Sequence, residues 1–453
     1  MRVPFVFLCL ATCQHGAPVA ADIGASLAKV PGFIITKTYA PNGGTQRFDF
    51  TFTQLLNHSD ASSPTFAQRG FLLHRSVSAA VVFETEGYEL PGAPEADELS
   101  VMLAGNQVHL EHRFFHDNPH PRSNDDWKFL TIQQAAADDH ALVLAMKTLY
   151  KGNWVTTGAS KGGETAVYYR RFYPDDVDAT VAYVAPLCVG IADARFPPFI
   201  AARYDGTYNA ALTAAQRRVL HNRVTFDALL STAAQNANLS FTLYSPDQAL
   251  EYATESVPFT LWQYFDKSFA DTIPADSTSD SAAFDWIANV GVLLFYDDND
   301  VRYFGPYDYQ VDTQLGGPDE DDSQIADLLV HQTDPDPSLP ADLATPFDDE
   351  AMPDIIDWVT HSSTHIMFIY GENDPWTAGA ATLGTGDNVK YIAPSGNHLS
   401  TIARLNDADR NGAAAKLSQW LGITVSTPRS QDVAVARDAD AREIRYRLHH
   451  HRR

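Results

Sequence analysis

One short stretch constrains this chain more than any other. The apolar, β-rich run Trp154-Val155-Thr156-Thr157 leads into Gly158-Ala159-Ser160-Lys161-Gly162-Gly163, and a helix-like segment then runs to Pro174. Glycine weakens strands and helices alike, so three glycines crowding one serine point to a tight turn between the two elements. A strand–turn–helix that raises a serine hydroxyl is a nucleophile elbow, the hallmark of the α/β-hydrolase fold. Its serine backbone is strained, and glycines on either side remove the Cβ atoms that would clash. The helix start beyond it directs backbone N–H groups at developing negative charge. The Gly-x-Ser-x-Gly pattern is short, and alone it also fits a glycine-rich turn with an idle serine.

A serine hydroxyl needs a base, and the base needs a carboxylate to fix its tautomer and steady the imidazolium. In this fold the chain order is Ser, then Asp or Glu, then His. Two late stretches supply that order. Asp374 lies in "YGENDPW" directly after the strand-like "HIMFIY", and His398 lies in "SGNHLS" after "VKYIA". Both positions are where loops leave the carboxyl ends of strands, the edge at which α/β sheets place their sites. The sequence therefore predicts Ser160 as nucleophile, His398 as base and Asp374 as its orienting carboxylate. Activity is expected to fall at low pH as the imidazole gains a proton. An oxyanion hole requires two donors. The backbone N–H of Lys161 is one, and the loop after "AVVFETEGY" nominates the N–H of Tyr88 as the other. The Lys161 side chain is read as exposed.

The surrounding pattern agrees with a mostly parallel sheet. Apolar strand-like runs alternate with helix-like ones from "TQRFDFTFTQLLNH" to "ATVAYVAP", with "QVHLEHRFF" (Gln107 to Phe115) read as a strand and Thr131 to Tyr150 as a helix. The pattern breaks after Pro186, returns at "HIMFIYGENDPW", and closes on the helix-like "AAAKLSQWLG". The expected division is a leader at 1–21, a hydrolase core at 22–190 and 360–424, a mainly helical cap inserted at 191–359, and a flexible basic tail at 425–453. Between Asp297 and Asp357 the cap carries eighteen Asp or Glu against the single Arg302. These acids lack the offsets of a calcium loop and are read as a solvated surface. No His-Glu-x-x-His zinc pattern occurs, and a metal role for His449, His450 and His451 is set aside. No metal and no cofactor is expected.

The chain has 453 residues, 45% of them hydrophobic and 20% charged, enough to bury a sizeable core. Its net charge of −25 disfavours nucleic acid and anionic membranes as partners. Arg2, the apolar run to Thr12 and Val19-Ala20-Ala21 read as an export signal, which predicts a secreted or periplasmic protein. Leu10-Ala11-Thr12-Cys13 also resembles a lipoprotein box, an alternative that would put a lipid anchor on Cys13. The apolar run is too short to span a bilayer, and no later segment is long and apolar enough to be an integral membrane span. Removal of the leader leaves Cys188 as the sole cysteine, which excludes a disulfide framework. A monomer is expected.

The stretches "EHRFF", "FLTIQQAAADDHALVLAMK", "TGASKGGETAVYYRRFYPDDVDATVAYVAP", "YGENDPW" and "SGNH" together resemble the secreted bacterial prolyl tri- and tetrapeptidyl aminopeptidases. More remotely they are similar to the lysosomal prolyl carboxypeptidases and dipeptidyl peptidases. The resemblance spans roughly Arg47 to Pro186 and His365 to Leu405, and is thinner over the insertion, where "FTLWQYFD" is its best echo. It implies an α/β-hydrolase with a helical cap, serine catalysis by Ser160, Asp374 and His398, and release of short peptides from a free N-terminus after proline. The family follows its Ala-Pro with Asn-Asp and an acidic run that would hold the substrate ammonium. This chain reads Leu187-Cys188-Val189 there, and carries Glu86 and Glu164 where the family has a glycine and an apolar residue. Either glutamate is a candidate replacement for the missing carboxylate. Trp262, Tyr264 and Phe265 are candidates for a proline pocket, with core packing as the competing role. Glu111 and Arg113 are expected to pair beneath the site. A carboxylester hydrolase with the same triad is the alternative activity, and a catalytically silent hydrolase-like binding protein is the alternative class.

Overall fold

The computed structural model describes residues 23–91, 96–115, 121, 123–331 and 337–428. The predicted leader with Cys13, and the tail from 429 with its terminal histidines, lie outside the described residues. Among the described residues nine strands form one sheet: β1 (Phe33–Thr38), β2 (Gln46–Leu55), β3 (Thr65–His74), β4 (Val81–Thr85), β5 (Asn106–Leu110), β6 (Trp154–Ala159), β7 (Ala179–Tyr183), β8 (Ile366–Gly371) and β9 (Val389–Ala393). Their spatial order is β1-β2-β3-β5-β4-β6-β7-β8-β9. The pairs β1–β2, β2–β3 and β3–β5 are antiparallel, and every pair from β5–β4 onward is parallel. The β4/β5 crossover, the run of parallel strands and the serine turn after β6 make this an α/β-hydrolase fold.

Residue pattern explains which strands sit where. β2 alternates, with Phe48, Phe50 and Phe52 buried and the residues between them partly exposed, as suits a strand with one wet face. β8 is buried at every position. Its Ile366, Phe368 and Tyr370 join the core on one face, while Met367 and Ile369 join the core on the other, the period-two consequence of the pleat. The first core packs against the helices Ile132–Lys147, Lys161–Phe172 and Ala351–His361. The second packs against Glu98–Met102 and Asp407–Leu421. The strand expected over 107–115 is shorter: β5 ends at Leu110. Beyond it the backbone turns, with the Glu111 N–H on Arg69 O, the His112 N–H on Tyr88 O and Phe114 at φ 73°. β1 is an edge strand that the sequence reading did not single out.

Between β7 and β8 the chain leaves the sheet and builds a helical layer with its own core of Leu212, Val219, Phe226, Leu250, Trp262 and Ile287, among others. Ser245 starts one of its helices with a full capping box. Trp262 belongs to this core: it is 1% exposed and packs on Tyr204 and Tyr208 at ring separations of 5.1 and 5.5 Å. The acidic block is not wholly a solvated surface, because Asp297, Asp298 and Asp300 are buried. Asp298 accepts bonds from the Thr242 and Leu243 N–H groups and from the Ser240 and Thr242 hydroxyls. Burial opposes its charge, but these donors outweigh that cost and hold the carboxyl down at about 2. Among the described residues no helix is long and apolar enough to cross a membrane.

Candidate active site

β6 runs straight into the turn that carries Ser160, whose backbone stands at φ 55°, ψ −126°. That conformation is strained for a residue with a side chain, and close packing holds it. The Ser160 N–H donates to Tyr183 O on β7 at 2.9 Å. A Cβ on Gly158 would come within 2.3 Å of Gly162 O, and one on Gly162 within 2.6 Å of Thr85 O. Glycine is therefore required at both positions for the helix Lys161–Phe172 to lie this close to β4 and β6.

The three predicted residues meet here. His398 Nε2 is 2.8 Å from Ser160 Oγ, and His398 Nδ1 is 2.8 Å from Asp374 Oδ2. Asp374 is fully buried and also accepts from the Trp376 N–H at 3.1 Å. Burial raises its carboxyl pKa, against the opposing pull of His398 and the Trp376 N–H. Two features of this relay are absent from the sequence reading. The His398 N–H donates to Gln263 O at the end of the helix Val257–Tyr264, 3.0 Å away. The Trp376 ring lies 5.0 Å from Phe259 and 6.0 Å from His398, so the helical layer braces both loops of the relay.

Ser160 opens on a cavity of about 720 Å³ whose lining includes Tyr88, Phe259, Tyr264, Phe304 and Tyr307. That volume is in the range that buries small ligands. Tyr264 and Phe265 line it, and Trp262 does not. Glu86 lines it with its carboxylate 2.6 Å from His109 Nδ1. Glu164 also borders it but is deeply buried, which lifts its carboxyl to about 8 against the pull of Lys161. Cys188 is buried, and burial pushes its thiol well up, so it is not poised as a nucleophile.

Two pairings differ from the sequence expectation. Glu111 and Arg113 do not pair with each other. Arg113 grips Asp138 with two nitrogens at 2.7 and 2.8 Å, while Glu111 lies 3.4 Å from Arg69. Loop residues two positions apart diverge once the strand ends, and each finds a partner from a different element. The Lys161 side chain is not exposed: it is 2% accessible, and its Nζ donates to Gly87 O at 2.6 Å. The loop after β4 folds down over the elbow and covers it. Among the described residues two clusters have atoms close enough to ligate a cation, Glu84–Asp97–His109 and Glu255–Glu320–Asp322. In the first, His109 is already held by Glu86 and Gln107.

The model of the PS-10 peptidase S37 family matches residues 16–448 of this chain. The prolyl tri/tetrapeptidyl aminopeptidase of Streptomyces mobaraensis is 34% identical over 424 residues, covering 91% of this chain and 88% of that one. Among solved structures, a proline iminopeptidase of Mycobacterium smegmatis matches at 14% identity and a TM-score of 0.35, covering 85% of this chain and 97% of that one. An acetyl xylan esterase of a Thermoanaerobacterium species matches at 9% identity and a TM-score of 0.33, covering 83% and 85%.

Proposed function

The chain is a serine peptidase and belongs to the PS-10 peptidase S37 family, and from that premise we propose that it releases short peptides from the free N-terminus of its substrates, cutting after proline. Ser160 Oγ attacks the scissile carbonyl as His398 Nε2 takes its proton. The tetrahedral oxyanion is held by the Lys161 and Tyr88 N–H groups. His398 then returns the proton to the leaving amine, and water hydrolyses the acyl-enzyme by the same route. Asp374 keeps the imidazole in the tautomer this requires. The observation that carries the reading is the unbroken Asp374–His398–Ser160 relay, with both contacts at 2.8 Å, on the wall of an aromatic cavity.

The residues 191–359 act in this reading as a cap that limits entry to short, unfolded peptides, with Tyr264 and Phe265 offering flat faces to a proline ring. Glu86 is the favoured partner for the substrate ammonium, because it opens on the cavity while burial drives Glu164 toward its neutral form. The protein acts outside the cytoplasm as a monomer, delivered by the leader at 1–21. Mass spectrometry of products from a defined peptide mixture, with Ser160→Ala as control, tests the reading. Release of tri- and tetrapeptides ending in proline supports it. Turnover of short acyl esters but of no peptide would replace it with an esterase.

A further inference from the structure

We propose that the side chain of Lys161 is a positioning residue that aims one wall of the oxyanion hole; this rests on the reading of Ser160 as nucleophile. The argument begins with the planarity of one peptide group. Gly87 C=O and Tyr88 N–H belong to the same peptide unit, so in its trans form they point in opposite directions. Lys161 Nζ donates to that carbonyl at 2.6 Å. Whatever fixes the direction of the oxygen therefore fixes the direction of the Tyr88 N–H. Lys161 thus acts on both donors: its own N–H is one, and its amine orients the other.

The surroundings make this a clasp and not a loose surface contact. Gly87 sits so tightly on the elbow that a Cβ there would lie 2.7 Å from both Gly162 N and Lys161 Cβ. The Tyr88 and Phe115 rings flank the amine at 5.5 and 5.4 Å, which screens it from water and strengthens its hydrogen bond. Burial lowers the amine to about 7, with Glu164 opposing. Charged or neutral, the amine keeps an N–H to give Gly87 O, so the clasp persists through neutral pH. An oxyanion donor must be aimed at where charge develops in the transition state. Misaiming it should therefore slow chemistry and leave ground-state binding alone.

Steady-state kinetics on a proline-terminated tripeptide anilide test this with Lys161→Met, which keeps the stem and loses the donor. The expected result is a fall in kcat of about 10- to 100-fold with KM within about twofold. Affinity for a matching peptide boronate should fall by a similar factor, and affinity for the product tripeptide should hold. Lys161→Gln, which keeps an N–H on a shorter stem, should recover part of the lost kcat. Wild-type kcat in folded Lys161→Met, or an equal loss of product affinity, overturns the proposal. If Lys161→Met does not fold, Lys161→Gln decides alone: reduced kcat with unchanged product affinity supports the proposal, and unchanged kcat or weakened product binding overturns it. Ser160→Ala separates the two layers. If it is inert while Lys161→Met is fully active, only the positioning role fails; if it stays active, the nucleophile assignment fails first.

Discussion

His398 Nε2 and Ser160 Oγ stand 2.8 Å apart, although 238 positions of sequence separate them. A contact that short between a hydroxyl and an imidazole predicts strong dependence on both partners. Ser160→Ala and His398→Ala should each lower kcat by at least about 10³-fold, and Asp374→Asn by about 10³- to 10⁴-fold by favouring the wrong tautomer. Anilide turnover measures this, with circular dichroism to show that each variant is folded. Activity above one tenth of wild type in Asp374→Asn would mean that the imidazole is held by something else.

Arg113 is fully buried and gives two nitrogens to Asp138, which is itself 1% exposed. Removing the carboxylate strands a guanidinium in the interior. Asp138→Ala is expected to cost about 3–5 kcal/mol of stability, read by denaturant unfolding. A loss below about 1 kcal/mol would show that the Leu56 and Phe129 carbonyls near Arg113 suffice.

Glu164 offers a pH test with a definite sign. Burial raises its folded pKa from 4.5 to about 8, so between those values the folded state holds a proton that the unfolded state has lost. Its contribution is complete at the acid end of that window and is lost as pH rises. Glu164→Gln stays neutral throughout. The melting temperature of Glu164→Gln minus that of wild type should therefore grow from pH 5 to pH 8. A constant difference would contradict the burial argument.

Asp298 has the opposite sign. Its folded carboxyl is held at about 2 against an ordinary 3.8 by the Thr242, Leu243 and Ser240 donors. The stability it adds is present above 3.8 and disappears as pH falls toward 2. Asp298→Asn should melt below wild type at pH 6, and the gap should narrow between pH 4 and pH 2.5. A gap independent of pH would assign the effect to packing alone.

If Glu86 meets the substrate ammonium, N-acetylation of an Ala-Ala-Pro-anilide should cut kcat/KM by at least about tenfold, the scale of one charge-assisted contact. Glu86→Gln should lower turnover of the free peptide and leave the acetylated one nearly unchanged. Equal rates for free and acetylated substrates would remove an amine subsite from the cavity altogether.

Much of this arrangement is legible in the chain before any coordinates. The elbow announces itself because Gly158 and Gly162 have no room for a Cβ, and Asp374 and His398 because each directly follows an apolar run of strand length. What escapes is whatever depends on an element far away in sequence. β5 stops at Leu110, opposite the last residue of β4 (Thr85), while its other neighbour β3 runs on to Thr65, and nothing in "EHRFF" signals that turn. Glu111 finds Arg69 on the neighbouring strand β3, and Arg113 finds Asp138 on the helix Ile132–Lys147 packed against the sheet, and neither meeting is encoded by a local pattern. Lys161 reads as exposed because nothing in "GASKGG" reveals that the segment after β4 folds over it. The burial of Asp298 inside an acidic run is hidden in the same way, since its donors lie some 55 residues earlier.

The bond from the His398 N–H to Gln263 O links the proposed proton shuttle to the roof above it. Raising that roof far enough to admit a folded protein would tug on the very backbone from which the imidazole hangs. Movement of the helix Val257–Tyr264 and the aim of the imidazole are therefore mechanically coupled through one backbone hydrogen bond.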